Sequence, residues 1–303
     1  MYTVINVAYC LDKNYQQHFG ASILSLLLNF KGDARQLRVF VVADEVDKDF
    51  AARIDHLSAL FQATIQLTVL NSSEIEFFEN LPEARLIQFS KAIYYRLHLA
   101  SILPNEVDKV LYIDCDTIIL DSIHELFKID LQNYVVAGVP DIVSRRHCRR
   151  LGTKQYINSG VMLMNLSLWR EKKIADQCYD WLNTNPDLAR LGDQCAINAV
   201  NDGAIKILES KWNGYVAPQW KLSRNPVNPS ILHFITGDKP WHAWYSRDLG
   251  DYYWRYLGVS PWKGATPIPP SRLFMQHWLA KKLVRIWNMF SHARRRSDLN
   301  ENN

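Results

Sequence analysis

The sequence predicts an α/β fold: one large domain on a mainly parallel central sheet, followed by an amphipathic helical tail. Three observations predict it. Strand-like apolar runs alternate with helical stretches at short connections near the start of the chain, the pattern of parallel strands joined by crossover helices. A chain of 303 residues holds ample material for one such core. The run Lys109–Ile113 has the length and character of a buried central strand, and it ends on two carboxylates, Asp114 and Asp116. Open α/β sheets bind their ligands at that end of their strands.

Residues 3–9 read as a first strand and 14–30 as a helix, with Phe19, Ile23, Leu26, Leu27 and Phe30 on one stripe. A strand at 37–42, a helix at 47–60 and a strand with clean alternation at 64–70 follow. Residues 90–103 read as a helix capped by Ser90 and stopped before Pro104. The spacing of Ser122 and Glu125 is that of a capping box opening a short helix. Residues 135–139 and 160–166 are further strands, and 167–183 is one helix carrying Trp169, Ile174, Cys178 and Trp181. The basic stretch 144–155 reads as a loop, either a flexible lid or acceptor loop or a solvated surface. Residues 185–191 form a loop, and 193–200 a short helix that presents Asp193 and Gln194 at its start.

At 48% hydrophobic and 22% charged, the composition is that of an ordinary globular protein. No apolar run approaches the roughly 20 residues that span a bilayer. The five cysteines, Cys10, Cys115, Cys148, Cys178 and Cys195, are odd in number and form no CxxC pair, which argues for a reducing compartment and against a disulfide frame or a zinc site. A cytoplasmic protein is expected, with no nucleic-acid partner. The net charge of +4 is unevenly placed: from Lys263 onward 8 Lys and Arg face 2 Asp and Glu, leaving −2 to residues 1–262. A basic tail behind a near-neutral domain suggests an anionic surface as partner.

The candidate chemistry starts at Asp114-Cys115-Asp116. Strand alternation would point both carboxylates to one side with Cys115 opposite, and two carboxylates held together recruit a cation. Taken alone, the pair could also be a solvated turn. Further motifs follow in order: Asn158-Ser159-Gly160, Asp193-Gln194, and His233-Phe234-Ile235-Thr236-Gly237-Asp238-Lys239-Pro240-Trp241. There is no Gly-rich phosphate loop of either common type, so bound phosphates would need a metal and basic side chains.

As a set, these motifs resemble the family 8 retaining glycosyltransferases, most closely the bacterial lipopolysaccharide galactosyl- and glucosyltransferases, over about residues 3–262. The resemblance implies a GT-A domain, the Rossmann-like fold of nucleotide-diphospho-sugar transferases. It implies a metal site of Asp114, Asp116 and His233, holding Mn²⁺ or Mg²⁺, and a diphosphate contact from Lys239. Thr236 stands where the family has a glycine, with Gly237 one residue later. By the same resemblance Asp12, Asn14 and Tyr15 hold uracil and ribose, Arg96 faces the diphosphate and donor sugar, and Cys115 lies within the donor motif. Asp141, Asn158, Asp193 and Gln194 surround the donor sugar. The implied reaction moves galactose or glucose from UDP-galactose or UDP-glucose onto a hydroxyl of a lipid-anchored lipopolysaccharide or lipooligosaccharide core, with retention. An amide is a poor nucleophile, so for Gln194 a front-face route is favoured, with a covalent route through Asp193 or Asp141 as the alternative.

Two rival readings are a haloacid-dehalogenase-like phosphatase and an inactive membrane-associated scaffold. The first is opposed by a motif starting more than a hundred residues into the chain and by Ile118 where that family carries Thr or Val. The second is opposed by the intact Asp114, Asp116, Gln194 and His233. The prolines of Lys263–Pro270 mark a boundary between a catalytic domain at 1–262 and a tail at 263–303. In the tail, Leu273, Phe274, Trp278, Leu279, Leu283, Ile286, Trp287 and Phe290 recur at helical spacing, with Arg294–Arg296 behind them. That pattern predicts a peripheral contact with the anionic inner face of a bacterial cytoplasmic membrane.

Overall fold

The structure, a computed structural model, describes residues 4–81, 90–216 and 228–270. Strand β1 (Ile5–Leu11) starts two residues later than its predicted position and leads through a 3₁₀ turn (Lys13–Tyr15) into α1 (Gln16–Asn29). Next come β2 (Leu37–Ala43), α2 (Lys48–Phe61) and β3 (Thr64–Val69), as the periodicity predicts. Helix α3 (Ser72–Glu79) was not predicted, although Asn71 and Glu74 form a complete capping box at its start. The predicted helix over 90–103 is mostly 3₁₀ (Lys91–His98), with only a short α4 (Leu99–Ile102); Ser90 does cap it, accepting from the Ala92 N–H.

Strand β4 (Lys109–Ile113) carries the acidic motif and is followed by β5 (Thr117–Ile119), α5 (His124–Phe127) and β6 (Val136–Pro140). The capping box expected from Ser122 and Glu125 does not form. Ser122 Oγ instead pairs with His124 Nδ1 at 2.6 Å, and Glu125 with Lys128 at 2.6 Å. The stretch read as a basic loop is largely helical: α6 (Ser144–Leu151) ends at Gly152, which is left-handed at φ 73°. Arginine is a good helix former, and glycine at that position is a usual stop. Strand β7 (Ile157–Asn165) leads to two helices where one was expected. These are α7 (Leu166–Glu171) and α8 (Ile174–Thr184), broken at Lys173 by a left-handed φ of 49°. Helix α9 (Asp193–Val200) matches its prediction; β8 (Ile205–Ile207), β9 (Gly214–Tyr215), β10 (Ile231–His233) and α10 (Arg247–Val259) complete the described chain.

The main sheet runs β3-β2-β1-β4-β7-β6-β8, and a smaller one β5-β10-β9. The main sheet is mostly parallel, with β7 antiparallel to both β4 and β6. Its central strands are buried on both faces, so their side chains divide by alternation between two cores. Val7, Tyr9, Leu111 and Ile113 pack on one side with Phe19 of α1, while Ala8, Cys10, Val110 and Tyr112 pack on the other with Trp169.

Trp262 closes the first core. Its ring lies edge-on to Phe19, and a β-carbon on Gly20 would stand 2.4 Å from it. Beyond Trp262, Ile268 pairs through its backbone with Trp241 and Ala243. The predicted amphipathic tail helix, 271–290, lies outside the described residues.

Candidate active site

Residues Asp114–Asp116 lie in a turn just past β4. Their carboxylates therefore converge because the chain turns into β5, and not by the strand alternation expected of them. Strand β10 runs antiparallel to β5 and sets His233 opposite Thr117. This places His233 Nε2 at 3.2 Å from Asp116 Oδ1 and 3.8 Å from Asp114 Oδ2. The three side chains can offer ligand atoms all within 4.8 Å of one another. Asp116 Oδ1 is buried and has no hydrogen-bond partner of acceptable geometry, a condition that costs about 1–3 kcal/mol unless something binds it. Two carboxylates and an imidazole are a fitting donor set for a hard divalent cation, the imidazole favouring Mn²⁺.

Arg96 ties this corner to the next. Its guanidinium reaches Asp114 Oδ1 at 3.1 Å and Asp193 Oδ2 at 3.3 Å, donates to Ser159 O at 3.0 Å and lies over the Tyr112 ring. Burial opposes its charge, yet Asp114 and Asp193 hold its pKa above the ordinary value. Asp193 is pushed up to about 6 by burial, against the pull of Arg96. Burial also works against ionised Asp116, but the Lys239 ammonium, at 2.5 Å, outweighs it and holds that carboxyl well below the usual range.

Gln194, at the start of α9, sits between two motifs. Its Oε1 accepts from Asn158 Nδ2 at 3.2 Å and from the Ser159 N–H at 3.1 Å, and its Nε2 donates to Asp141 Oδ2 at 3.1 Å and Tyr156 OH at 3.3 Å. Asp12 caps the turn after β1 by accepting from the Asn14 and Tyr15 N–H groups, so it shapes the loop it belongs to. Thr236 and Gly237 both avoid the left-handed region, and no atom would crowd a β-carbon on Gly237, so the loop tolerates a threonine at the family's glycine position.

One cavity of about 550 Å³ is lined by Asp12, Asn14, Tyr15, Arg96, Asp114, Cys115, Asp116, Asn158, Asp193, Gln194, His233 and Lys239. Asp141 stands just behind, on Gln194. Cys115 is buried with its Sγ toward Cys10 O, so it contributes no charge to the site. Lys239 bonds Asp116 and the Phe234 carbonyl.

Sequence reasoning missed several residues of this site. Ser159 sits inside a quoted motif and could have been named; it donates to Asp193. His18, stacked on Trp241 at 3.4 Å and depressed by burial to a pKa of about 3, carries no local signal beyond a helix register. Asn213, hydrogen-bonded to both Asn158 and His233, carries none at all.

Comparison with known proteins agrees with this geometry. General stress protein A of Bacillus subtilis is 28% identical over 277 residues, covering 86% of this chain and 95% of that protein. A lipopolysaccharide 1,2-glucosyltransferase of Escherichia coli is 27% identical over 289 residues, covering 90% and 82%. The fold is that of the galactosyltransferase LgtC, solved with donor and acceptor sugar analogs: TM-score 0.73, 20% identity, covering 84% of this chain and 96% of that one. That fold is the GT-A fold. Residues 6–245, most of the chain, match the sequence model of glycosyl transferase family 8, and the chain belongs to that family.

Proposed function

We propose that this family 8 enzyme is a metal-dependent retaining glycosyltransferase. It moves galactose or glucose from a UDP-sugar onto a hydroxyl of a lipopolysaccharide or lipooligosaccharide core, forming an α-glycosidic bond. The observation that carries the reading is the meeting, in one cavity, of the Asp114–Asp116–His233 cluster, the Asp12–Tyr15 loop and the Asp193–Gln194 pair.

A divalent ion on Asp114, Asp116 and His233 would neutralise the charge that builds on the departing diphosphate. In this reading Lys239 leaves Asp116 for a phosphate as the donor binds, and Arg96 keeps Asp114 and Asp193 in place. Asp141, Asn158, Asp193 and Gln194 hold the sugar, for which amides and carboxylates that each serve two hydroxyls are suited. Asp193 Oδ2 already accepts from Arg96 and Ser159, and Asp141 Oδ2 from Gln194. Lone pairs so engaged are weaker nucleophiles, which favours a front-face route in which the leaving phosphate oxygen takes the acceptor proton.

Incubation with radiolabelled UDP-hexoses and Mn²⁺ tests this. Slow hydrolysis of one UDP-hexose, abolished by EDTA, is expected. Absence of hydrolysis with every UDP-sugar, or full activity in EDTA, would overturn it.

Localisation follows from the tail. We propose that 271–296 docks the cytoplasmic enzyme on the inner face of the bacterial cytoplasmic membrane, each basic residue adding about 1 kcal/mol near anionic lipid. Among the described residues no helix is long and apolar enough to cross a membrane, and Ile268, two residues before the last described residue, lies on the cavity lining. Co-sedimentation with phosphatidylglycerol vesicles at low and high salt, for the full chain and for one ending at Pro270, decides it. Equal binding by both chains, or by neither, would refute the tail's role.

A further inference from the structure

We propose that Asn213 is a positioning residue. Its side-chain amide fixes the tautomer and plane of the His233 imidazole, so that Nε2 presents a bare lone pair between Asp114 and Asp116. The inference rests on the metal role proposed above for those three residues.

Asn213 closes the 3₁₀ turn before β9, is 1% exposed, and has different partners at the two ends of its amide. The orientation of those ends is set by backbone, through one intermediate. Asn158 Oδ1 accepts from the Gly160 N–H at 3.1 Å, a group that can only donate, so the oxygen end of Asn158 is fixed there. That oxygen also faces Asn213 at 3.0 Å, and Asn213 must meet it with its NH₂. Asn213 Oδ1 is thereby turned to His233 Nδ1 at 2.9 Å. A carbonyl oxygen only accepts, so Nδ1 carries a proton, and in the neutral imidazole that a metal requires Nε2 is the bare nitrogen.

The other end of Asn158 is fixed in the same way. Its Nδ2 donates to Gln194 Oε1, which also accepts from the Ser159 N–H. One run of three amides therefore joins the sugar-side Gln194 to the imidazole, anchored by two backbone donors of β7. Ring nitrogens that bind metal commonly have their opposite nitrogen held in this manner, and losing that partner lowers metal affinity. A merely structural Asn213 would support β9 and leave the imidazole proton alone.

The test uses the full chain with ¹⁵N-labelled histidine, free of metal, and Mn²⁺ titration followed by electron paramagnetic resonance. In the wild type, His233 should appear as the Nδ1–H tautomer. Asn213→Ala should add or switch to the Nε2–H form and weaken Mn²⁺ binding by about 10- to 100-fold, with UDP affinity in the absence of metal unchanged. Asn213→Asp keeps the acceptor and should retain the Nδ1–H tautomer and most of the Mn²⁺ affinity. An unaltered tautomer in Asn213→Ala, or a folded Asn213→Asp that loses Mn²⁺ as fully as the alanine variant, overturns the inference. Should the alanine variant not fold, the aspartate variant decides alone. Wild-type protein that ignores Mn²⁺ yet shows the Asn213-dependent tautomer would refute the metal reading and leave Asn213 as the group that sets the imidazole.

Discussion

Gly160 and His233 touch at a distance that admits no side chain between them. A β-carbon on Gly160 would stand 2.2 Å from His233 Cε1 and 2.6 Å from Asp114 Oδ2. The glycine is thus required by close approach, since its backbone has no left-handed φ. Gly160→Ala must displace the imidazole or Asp114, and misplacement of about 1 Å can cost about 10²-fold in rate. A folded Gly160→Ala protein should lose Mn²⁺ affinity and donor hydrolysis together, by Mn²⁺ titration and radiolabel release. Wild-type behaviour in both would place the metal elsewhere.

Removing one charge from the cluster should act on turnover. Asp116→Asn is expected to lose at least about 10²-fold in turnover, and EDTA should abolish wild-type activity until Mn²⁺ is returned. Because Lys239 is paired with Asp116 at 2.5 Å, the variant also strands a cation, so its thermal stability should be recorded beside its rate.

Gln194→Ala tests the proposed division between sugar and nucleotide contacts. The amide bonds Asn158, Ser159, Asp141 and Tyr156 and touches none of Asp12, Asn14 or Tyr15. Turnover should fall severely while UDP affinity, measured by calorimetry, stays within about threefold. Collapse of UDP binding along with turnover would make the residue structural.

Asp193 sets a pH dependence of stability. Its pKa rises from 3.8 to about 6 on folding, so the folded state takes up a proton and is progressively disfavoured as pH rises through that interval. The full effect, present above pH 6, is on the order of 3 kcal/mol for this buried group. Asp116 works oppositely: its depressed pKa gives stability that is lost only as pH falls below 3.8, outside the Asp193 window. Urea unfolding at pH 4.5 and 7.5 should therefore show wild type losing ground to Asp193→Asn as pH rises. A pH-independent difference would mean that Asp193 does not carry the shift.

Gln62 offers a test remote from the site. It ends α2 at φ 54° and ψ 28°, a left-handed position where glycine is free of β-carbon strain. Gln62→Gly should raise stability by about 0.5–1 kcal/mol with activity unchanged. A loss of stability by thermal denaturation would refute this.

Much of the fold was legible because its signals are local. Strands β1, β2 and β3 alternate with α1 and α2, and each is specified by its own residues, through continuous apolar runs in β1 and β2, alternation in β3 and helical spacing in α1 and α2. The acidic pair at the end of β4 was equally visible, as were the Asn158–Gly160, Asp193–Gln194 and His233–Trp241 motifs. Local signals also misled. Lys173 breaks a helix with no glycine or proline to announce it, and Ser122 spends its hydroxyl on the ring and N–H of His124 instead of the Glu125 N–H it was expected to cap.

The sequence by itself determined which residue types were available for chemistry and which strand end would carry them. Only the tertiary structure decided how they meet. Strands β5, β9 and β10 are two or three residues long, too short to carry a period, and exist because each finds a partner across the chain. They bring His233 to Asp116 and Asn213 to His233. A hydrogen bond between polar side chains depends on where distant backbones come to rest, and it leaves no periodic trace in the residues beside it.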